Sequence, residues 1–129
     1  MENYIDGFVF PVPKDQLNVY KEVAEKVAAI WIEYGALDYS EFVEDGFSLE
    51  GPKPFTNVIN KKNSEVIIFG WIVFESLEAR DFAHNKVSSD PRMPDLIKPL
   101  SDPSNPIFDV KQMVYGGFKS LVQLSKSNK

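Results

Sequence analysis

The chain has 129 residues, of which 43% are hydrophobic and 26% are charged, and its formal net charge is −5. These fractions are typical of one globular domain with its own core. They exclude a disordered chain, and no apolar run approaches the ~18 residues of a membrane-spanning helix. The acidic balance has the wrong sign for a protein that follows nucleic-acid phosphates.

The absence of cysteine and the presence of a single histidine limit the chemistry further. Disulfides, thiolate metal sites and histidine-based metal clusters are excluded, and the sequence lacks the spaced acidic loop of a Ca²⁺ site. We therefore expect neither a metal nor a cofactor. The first residues, MENYIDGF, lack the basic and long apolar regions of a secretory signal, so we predict a cytoplasmic protein.

The first third of the chain predicts a strand, a helix and a second strand. Residues 3–12 alternate aromatic and β-branched side chains before two prolines, a pattern that is typical of a strand. Apolar residues recur at three- and four-residue steps over 14–34, which is the spacing of one helix face, and Gly35 supplies a left-handed cap. Residues 36–43 predict the second strand.

The middle of the chain predicts an edge strand, a buried strand and a second helix. Residues 55–59, FTNVI, form the edge strand within an irregular connection that is rich in Gly and Pro. Residues 65–74, EVIIFGWIVF, are apolar on both faces, so both faces of this strand need cover. A helix follows from the N-cap Ser76 to about Ser89.

The C-terminal part predicts a proline-rich crossing, a last strand from about Lys111 to Leu121, and a polar tail over 122–129. One domain over 1–129, with its core in 3–121, accounts for the whole pattern. The element order predicts an α+β fold, a ferredoxin-like βαββαβ sandwich with both helices on one face of a four-stranded antiparallel sheet. A second subunit's sheet is the simplest cover for the other face. We therefore expect a homodimer that encloses a space between the sheets.

The only histidine lies in ARDFAHNKVSSDPRM, residues 79–93. Asp90 before Pro91 matches a helix N-cap followed by proline at the first helical position, so a helix restarts here and Arg92 neutralises Asp90 or a carbonyl end. The alternative is that the Arg92 guanidinium binds a ligand's carboxylate or phosphate. His84, at the edge of the apolar helix face, is expected to face solvent or to be hydrogen-bonded locally. A catalytic role would require a partner within hydrogen-bond reach of its imidazole.

Asp6 is the polar residue with a physical argument for a site. It shares strand parity with Tyr4, Phe8 and Phe10, an aromatic-rich face on which an unpaired carboxylate would have a raised pKa. The alternative is a structural Asp that is hydrogen-bonded to a tyrosine or lysine of a neighbouring strand. Parity further predicts that three aromatic residues share the cavity of Asp6: Phe69, Trp71 and Tyr115. Such an aromatic stripe is also typical of a core or of a dimer interface.

The candidate site residues form two sets. The predicted ligand-binding residues are Tyr4, Asp6, Phe8, Phe69, Trp71, Arg92 and Tyr115. The candidate catalytic residues are Asp6 and His84.

Three stretches carry a family resemblance: YIDGFVFPVPKDQLNVYKEVAEKVAAIWIEYGALDY, RDFAHNKVSSDPRM and MVYGGF. They resemble the YbaA-like bacterial family of unknown function, within the dimeric α+β barrel superfamily. The resemblance implies a ferredoxin-like protomer whose sheet pairs with a partner's sheet to close a barrel. It brings no established activity and no catalytic residues.

Four functions are compatible with these observations. The first is a module that binds a small apolar or aromatic molecule in the barrel cavity. The second is an enzyme similar to the cofactor-independent monooxygenases and isomerases of the superfamily, with Asp6 or His84 as the base. The third is haem degradation, which the resemblance implies because haem-degrading members of the superfamily carry a polar residue, a Trp and a His in the chain order of Asp6, Trp71 and His84. The fourth is a structural or protein-partner role without a ligand.

Overall fold

The computed structural model describes residues 3–126 of the chain. Within them, four strands and three α-helices follow one another: β1 Tyr4–Pro13, α1 Leu17–Glu33, β2 Asp38–Val43, β3 Glu65–Phe74, α2 Leu77–Ser88, α3 Arg92–Ile97 and β4 Val114–Lys119. This is the predicted order without the edge strand at 55–59, and α3 is the helix that was expected to restart after Asp90. Of the predicted polar tail, residues 127–129 lie outside the described part of the chain.

The four strands form one antiparallel sheet in the order β2-β3-β1-β4. The two central strands, β1 and β3, pair along ten residues each, whereas the edge strands β2 and β4 are six residues long. Helices α1 and α2 pack on one side of the sheet, which we call the helix side. The other side is the open face. The predicted ferredoxin-like α+β fold is therefore confirmed.

The helix side carries the core because strand residues alternate between the two faces. The even-numbered residues of β1 point toward the helices, and Phe10 and Val12 are 1% and 0% exposed. The ring of Phe10 meets Tyr20 of α1 and Phe108 edge-on, with ring centroids 5.6 and 5.1 Å apart. Aromatic packing of this kind seals the space between helix and sheet.

The ends of the two long helices follow local rules. Gly35, with a φ of 109°, takes the left-handed conformation just beyond α1. Ser76 caps α2, since its side chain accepts a 3.0 Å hydrogen bond from the backbone N–H of Ala79. Both predicted end residues are confirmed.

One predicted strand, at residues 55–59, is wrong, and so are the predicted bounds of the last strand. Residues 55–59 hold a short 3₁₀ helix, Phe55–Asn57, because the Asn57 N–H bonds locally to the carbonyl of Pro54 and is lost to any ladder. The last strand begins at Val114, since the Asp109 carboxylate accepts the N–H of Lys111 and closes a 3₁₀ turn before it. It ends at Lys119, which pairs with Tyr4 at the start of β1, and one more backbone hydrogen bond follows, from the Ser120 N–H to the Asn3 carbonyl at 2.9 Å.

The open face remains apolar and aromatic. Phe42, Phe69 and Phe118 are 58%, 43% and 58% exposed, and Trp71 stacks on Phe42 with ring centroids 5.3 Å apart. In residues 3–126, no helix has both the length and the apolar character needed to cross a bilayer.

Gly70 permits the close packing of three strands. It pairs with Phe8 on β1 and with Glu41 on β2. A Cβ atom at Gly70 would lie 2.6 Å from the carbonyl oxygen of Ser40 and 2.7 Å from the Phe8 ring. The backbone oxygen cannot move without shifting β2, so this position requires glycine.

We expect Gly70→Ala to lower the free energy of unfolding by about 1–3 kcal/mol, the usual cost of overpacking a core. Urea unfolding measures it. Gly116→Ala is the matched control in the same sheet, because its added Cβ would meet nothing closer than 3.5 Å. Equal stability of the two variants would contradict the packing at Gly70.

Candidate functional site

Asp6 lies in the middle of β1 with its side chain on the helix side, where it is 2% exposed. Its Oδ2 atom is 2.5 Å from Nε2 of His84 and accepts a 2.5 Å hydrogen bond from the hydroxyl of Tyr115. Short contacts of this kind are typical of hydrogen bonds with one ionised partner. Three residues that are far apart in the sequence therefore form one group, which we call the Asp6 cluster.

The sheet register brings the Asp6 cluster together. Asp6 pairs with Gly117 on β4, and Tyr115 is the same-side neighbour two residues earlier. Gly117 leaves room for Arg80 of α2, whose Nη1 would lie 2.8 Å from a Cβ added there. His84 follows Arg80 by one helical turn, so α2 places both side chains over the centre of the sheet.

His84 connects the buried carboxylate with solvent. Its ring packs edge-on against Trp31 of α1, with centroids 4.9 Å apart, and 42% of its side chain is exposed. One nitrogen thus faces Asp6 while the rest of the imidazole reaches water. An ionised carboxylate only accepts hydrogen bonds, so Nε2 carries the hydrogen whenever Asp6 is charged.

Tyr115 forms the opposite end of the cluster. Its ring stacks on Phe8 at 5.8 Å and lines a cavity of about 230 Å³ between the sheet and the helices. Burial of the hydroxyl and its bond to Asp6 raise the pKa of Tyr115, and the charge of Arg80 opposes this shift. The phenol therefore keeps its proton at neutral pH.

The cavity has the size and the walls of a site for a small apolar molecule. Its lining is mainly apolar and aromatic, including Phe8, Trp31, Tyr39 and Phe108. An apolar protein cavity of ~150 Å³ already binds benzene, so this one has room for a one-ring molecule with a short substituent. In residues 3–126, no three His, Asp or Glu side chains are grouped so that they could hold a metal ion.

A second polar group lines the same cavity. Glu41 of β2 accepts hydrogen bonds from Tyr20 at Oε1, 2.5 Å, and from Tyr39 at Oε2, 2.7 Å. We call these three residues the Glu41 cluster. Burial raises the pKa of Glu41 and the two tyrosine hydrogen bonds oppose that shift. Burial and the nearby Glu41 carboxylate raise the pKa values of both tyrosines.

The Glu41 cluster also separates two cavities. A second, outer cavity of about 430 Å³ opens between α1 and the β2 edge of the sheet, and all three residues of the cluster line it too. Sequence reasoning missed Glu41. The available indication was its spacing from Tyr39, since residues two apart on a strand share a face.

The register divides the predicted ligand-binding residues between the two faces. Asp6 pairs with Ile72, so the even-numbered residues of β3 share its face. Phe69 and Trp71 are odd-numbered and lie on the open face. The prediction that they share a cavity with Asp6 is wrong, because antiparallel pairing keeps directly paired residues on one side. Trp71 is likewise separated from His84, so the three residues of the haem hypothesis do not line one pocket.

The remaining site residues are placed as follows. Phe8 and Tyr115 line the cavity, and Tyr4 lies on the helix side under the guanidinium of Arg80, which is 5.6 Å from its ring centroid. Asp6 is bonded to a neighbouring strand's tyrosine, as the structural alternative predicted, and so is not unpaired. His84 has the hydrogen-bond partner that a catalytic role would require.

Arg92 serves the junction of α1 and α3. Its Nε and Nη2 donate to Asp90 at 2.9 and 2.8 Å, and its Nη atoms also reach Glu33 at 3.1 Å. Hydrogen bonds from Arg92 and from Tyr34 hold the pKa of Asp90 well below its usual range. Neutralisation of Asp90 by Arg92 is thus confirmed, and a ligand-binding role for Arg92 stays a prediction.

A family model and a relative each match most of the chain. The family model described as protein of unknown function (DUF1428) matches residues 3–103. The uncharacterized protein YbaA of Escherichia coli strain K12 is 37% identical over 123 residues, which is 92% of this chain and 97% of YbaA.

Two solved structures share the fold. A dimeric ferredoxin-like protein from an uncultured marine organism has a TM-score of 0.54 at 9% identity, covering 98% of this chain and 100% of its own. A monooxygenase from the gene ActVA-Orf6 of Streptomyces coelicolor, in complex with the ligand Nanaomycin D, has a TM-score of 0.54 at 17% identity, covering 97% and 93%. At these identities the likeness shows the fold alone.

Glu41 gives the stability a pH dependence of defined sign. A carboxyl group with a pKa that is higher in the folded chain contributes most below its ordinary value of 4.5, and this contribution is lost as the pH rises above that value. We expect the stability of the wild type relative to Glu41→Gln to fall as the pH rises above 4.5. Urea unfolding across this range measures it.

Glu25→Gln is the control, because Glu25 is exposed on α1. The pH dependence of unfolding is compared between the two variants. A Glu41 difference that grows with pH would contradict the raised pKa.

Proposed function

The chain belongs to the DUF1428 family of proteins of unknown function. We propose that it is a homodimer that binds a small apolar molecule in the helix-side cavity and transfers a proton to or from it. One observation carries the proposal: a single oxygen of the buried Asp6 is bonded to His84 on the solvent side and to Tyr115 on the cavity side.

The Asp6 cluster has the chemistry of a general acid and base. A ligand O–H or activated C–H that meets the Tyr115 oxygen transfers its proton there, while the phenol hydrogen of Tyr115 moves to Oδ2 of Asp6. In the reverse direction the phenol donates and Asp6 returns the proton. The hydrogen bond from His84 orients Asp6 and stabilises its charge, so the carboxylate stays placed for the next transfer.

The reaction class follows from this transfer. Moving a proton from one ligand atom to another is an isomerisation, and deprotonation of an electron-rich ring is the first step of cofactor-independent oxygenation. The structural neighbour from Streptomyces coelicolor is described as a monooxygenase in complex with Nanaomycin D. This supports a small-molecule ligand for the present fold, by analogy only.

The second candidate is a binding protein without turnover. The raised pKa of Tyr115 favours it, because a phenol that holds its proton firmly is a poor base in the absence of a strong acceptor. Asp6 is that acceptor in our proposal. The two candidates share the cavity and differ in whether the proton of Tyr115 moves.

The open face supports the dimer. Phe42, Phe69 and Trp71 form a continuous aromatic surface whose ring centroids are 5.3 and 6.0 Å apart. Large exposed apolar patches mark interaction surfaces, and one structural neighbour is described as dimeric. Burying these rings against a second copy of the sheet removes them from water. The cytoplasmic location stays a prediction.

Native mass spectrometry of the full-length protein, purified from its own cells, tests assembly and binding together. We expect a dimer with a reproducible extra mass. Phe69→Arg should give a monomer, because a charge would be buried in the interface, whereas Phe82→Arg should stay dimeric. Phe82 is 52% exposed, against 43% for Phe69, but lies on α2, away from the open face. A monomeric wild type would contradict the dimer, and a bare dimer would favour a structural or protein-partner role.

The bound molecule, once identified by its mass, is the substrate for the second test. Incorporation of deuterium from D₂O into that molecule is followed by mass spectrometry. We expect Tyr115→Phe to slow it about 10²-fold or more, the usual contribution of a general acid or base. Tyr4→Phe is the matched control, since Tyr4 lies on the same side of β1 but outside the Asp6 cluster. Unchanged deuterium exchange in Tyr115→Phe would contradict the proton transfer, and only the binding function would remain.

A further inference from the structure

Glu41 and Tyr115 belong to one row of paired residues across the sheet. Glu41 pairs with Gly70, Gly70 with Phe8, and Phe8 with Tyr115. Three strand spacings of ~4.8 Å place the backbones at the two ends of the row about 14 Å apart across the sheet. Between them Gly70 contributes no side chain, so the Phe8 ring forms the floor. A ligand over Phe8 therefore has Tyr115 at one end and Glu41 at the other.

The carboxylate of Glu41 has acceptor capacity left for a ligand. An ionised carboxylate offers about four lone-pair sites, and Tyr20 and Tyr39 occupy one on each oxygen. Within residues 3–126, Glu41 takes part in none of the ion pairs closer than 4.0 Å. The charge facing the cavity is thus held by hydrogen bonds and lacks a cationic partner among the residues that the structure describes.

The surroundings favour a cation as that partner. The rings of Phe8 and Tyr39 have centroids 6.1 Å apart beside the carboxylate, and aromatic faces attract ammonium groups. Among residues 3–126, no Lys, Arg or His lines the inner cavity, and Lys21 lines only the outer cavity, where Glu25 is also present. An anionic group beside Glu41 would meet its negative charge, whereas the charge of Arg80 acts on Tyr115 at the opposite end.

We propose that Glu41 anchors the ammonium group of the ligand, so that the protein selects apolar amines. This rests on the cavity of the proposed function and adds the substrate class. The apolar body lies on Phe8, the ammonium donates to Glu41, and the reacting end faces Tyr115. Glu41 is a positioning residue, because it holds the ligand without exchanging a proton with it.

Three probes of similar shape test the anchor: 2-phenylethylamine, 2-phenylethanol and 3-phenylpropionate. Trp31 lines the cavity and Trp71 lies on the open face, and these are the two tryptophans of the chain. Trp71→Phe therefore makes fluorescence report on the cavity alone. At neutral pH we expect the amine to bind about tenfold or more tightly than the alcohol, and the carboxylate to bind most weakly.

Two variants separate the anchor from the proton-transfer site. Glu41→Gln should abolish the advantage of the amine while alcohol binding is retained, and Tyr115→Phe should keep that advantage although proton exchange is lost. Retained alcohol binding shows that Glu41→Gln still folds, and Glu25→Gln, which removes an exposed carboxylate of α1 outside the inner cavity, should keep the preference.

The opposite outcomes are equally specific. Equal binding of amine and alcohol, or a preference that survives Glu41→Gln, would overturn the anchor and leave the proton-transfer proposal standing. No fluorescence response to any probe would overturn both, because it would remove the cavity on which they rest.

Discussion

A carboxylate on the central strand, almost entirely removed from water, is the constraint on which the site depends. A buried charge is tolerated only when donors replace its hydration. Asp6 obtains one donor from α2 and one from β4, so the helix and the edge strand must both be docked before the charge is satisfied. The two hydrogen bonds that satisfy the buried Asp6 carboxylate also connect solvent, at His84, with the cavity, at Tyr115.

The cavity follows from a second local constraint, the missing side chain at Gly70. Phe8 and Glu41 lean over this position from the two neighbouring strands, and the row from Glu41 to Tyr115 becomes a floor with a polar group at each end. The ends differ in chemistry. Tyr115 is backed by an acceptor and is suited to moving a proton, whereas Glu41 is held by two phenols and is suited to holding a donor.

The two faces of the sheet divide the aromatic residues between different tasks. Those on the helix side pack the core and line the cavity, with Phe10 and Phe74 almost completely buried. Those on the open face, led by Phe42 and Phe69, remain in contact with water in a single protomer. A homodimer would place the two apolar faces together and leave both cavities on the outer, helix-bearing sides.

The sequence by itself determined the architecture, because the periodicities of β1, α1 and β3 and the caps at Gly35 and Ser76 are local properties. It also indicated Asp6, since a lone carboxylate among aromatics on one strand face requires an explanation. Only the tertiary structure decided which residues meet Asp6. Strand parity assigns a face within one strand, whereas the register between strands decides whether Tyr115 or Trp71 shares that face. The hydrogen bonding of Glu41 followed only from the packing of α1 against β2, because Tyr20 lies on α1 and Tyr39 lies on β2.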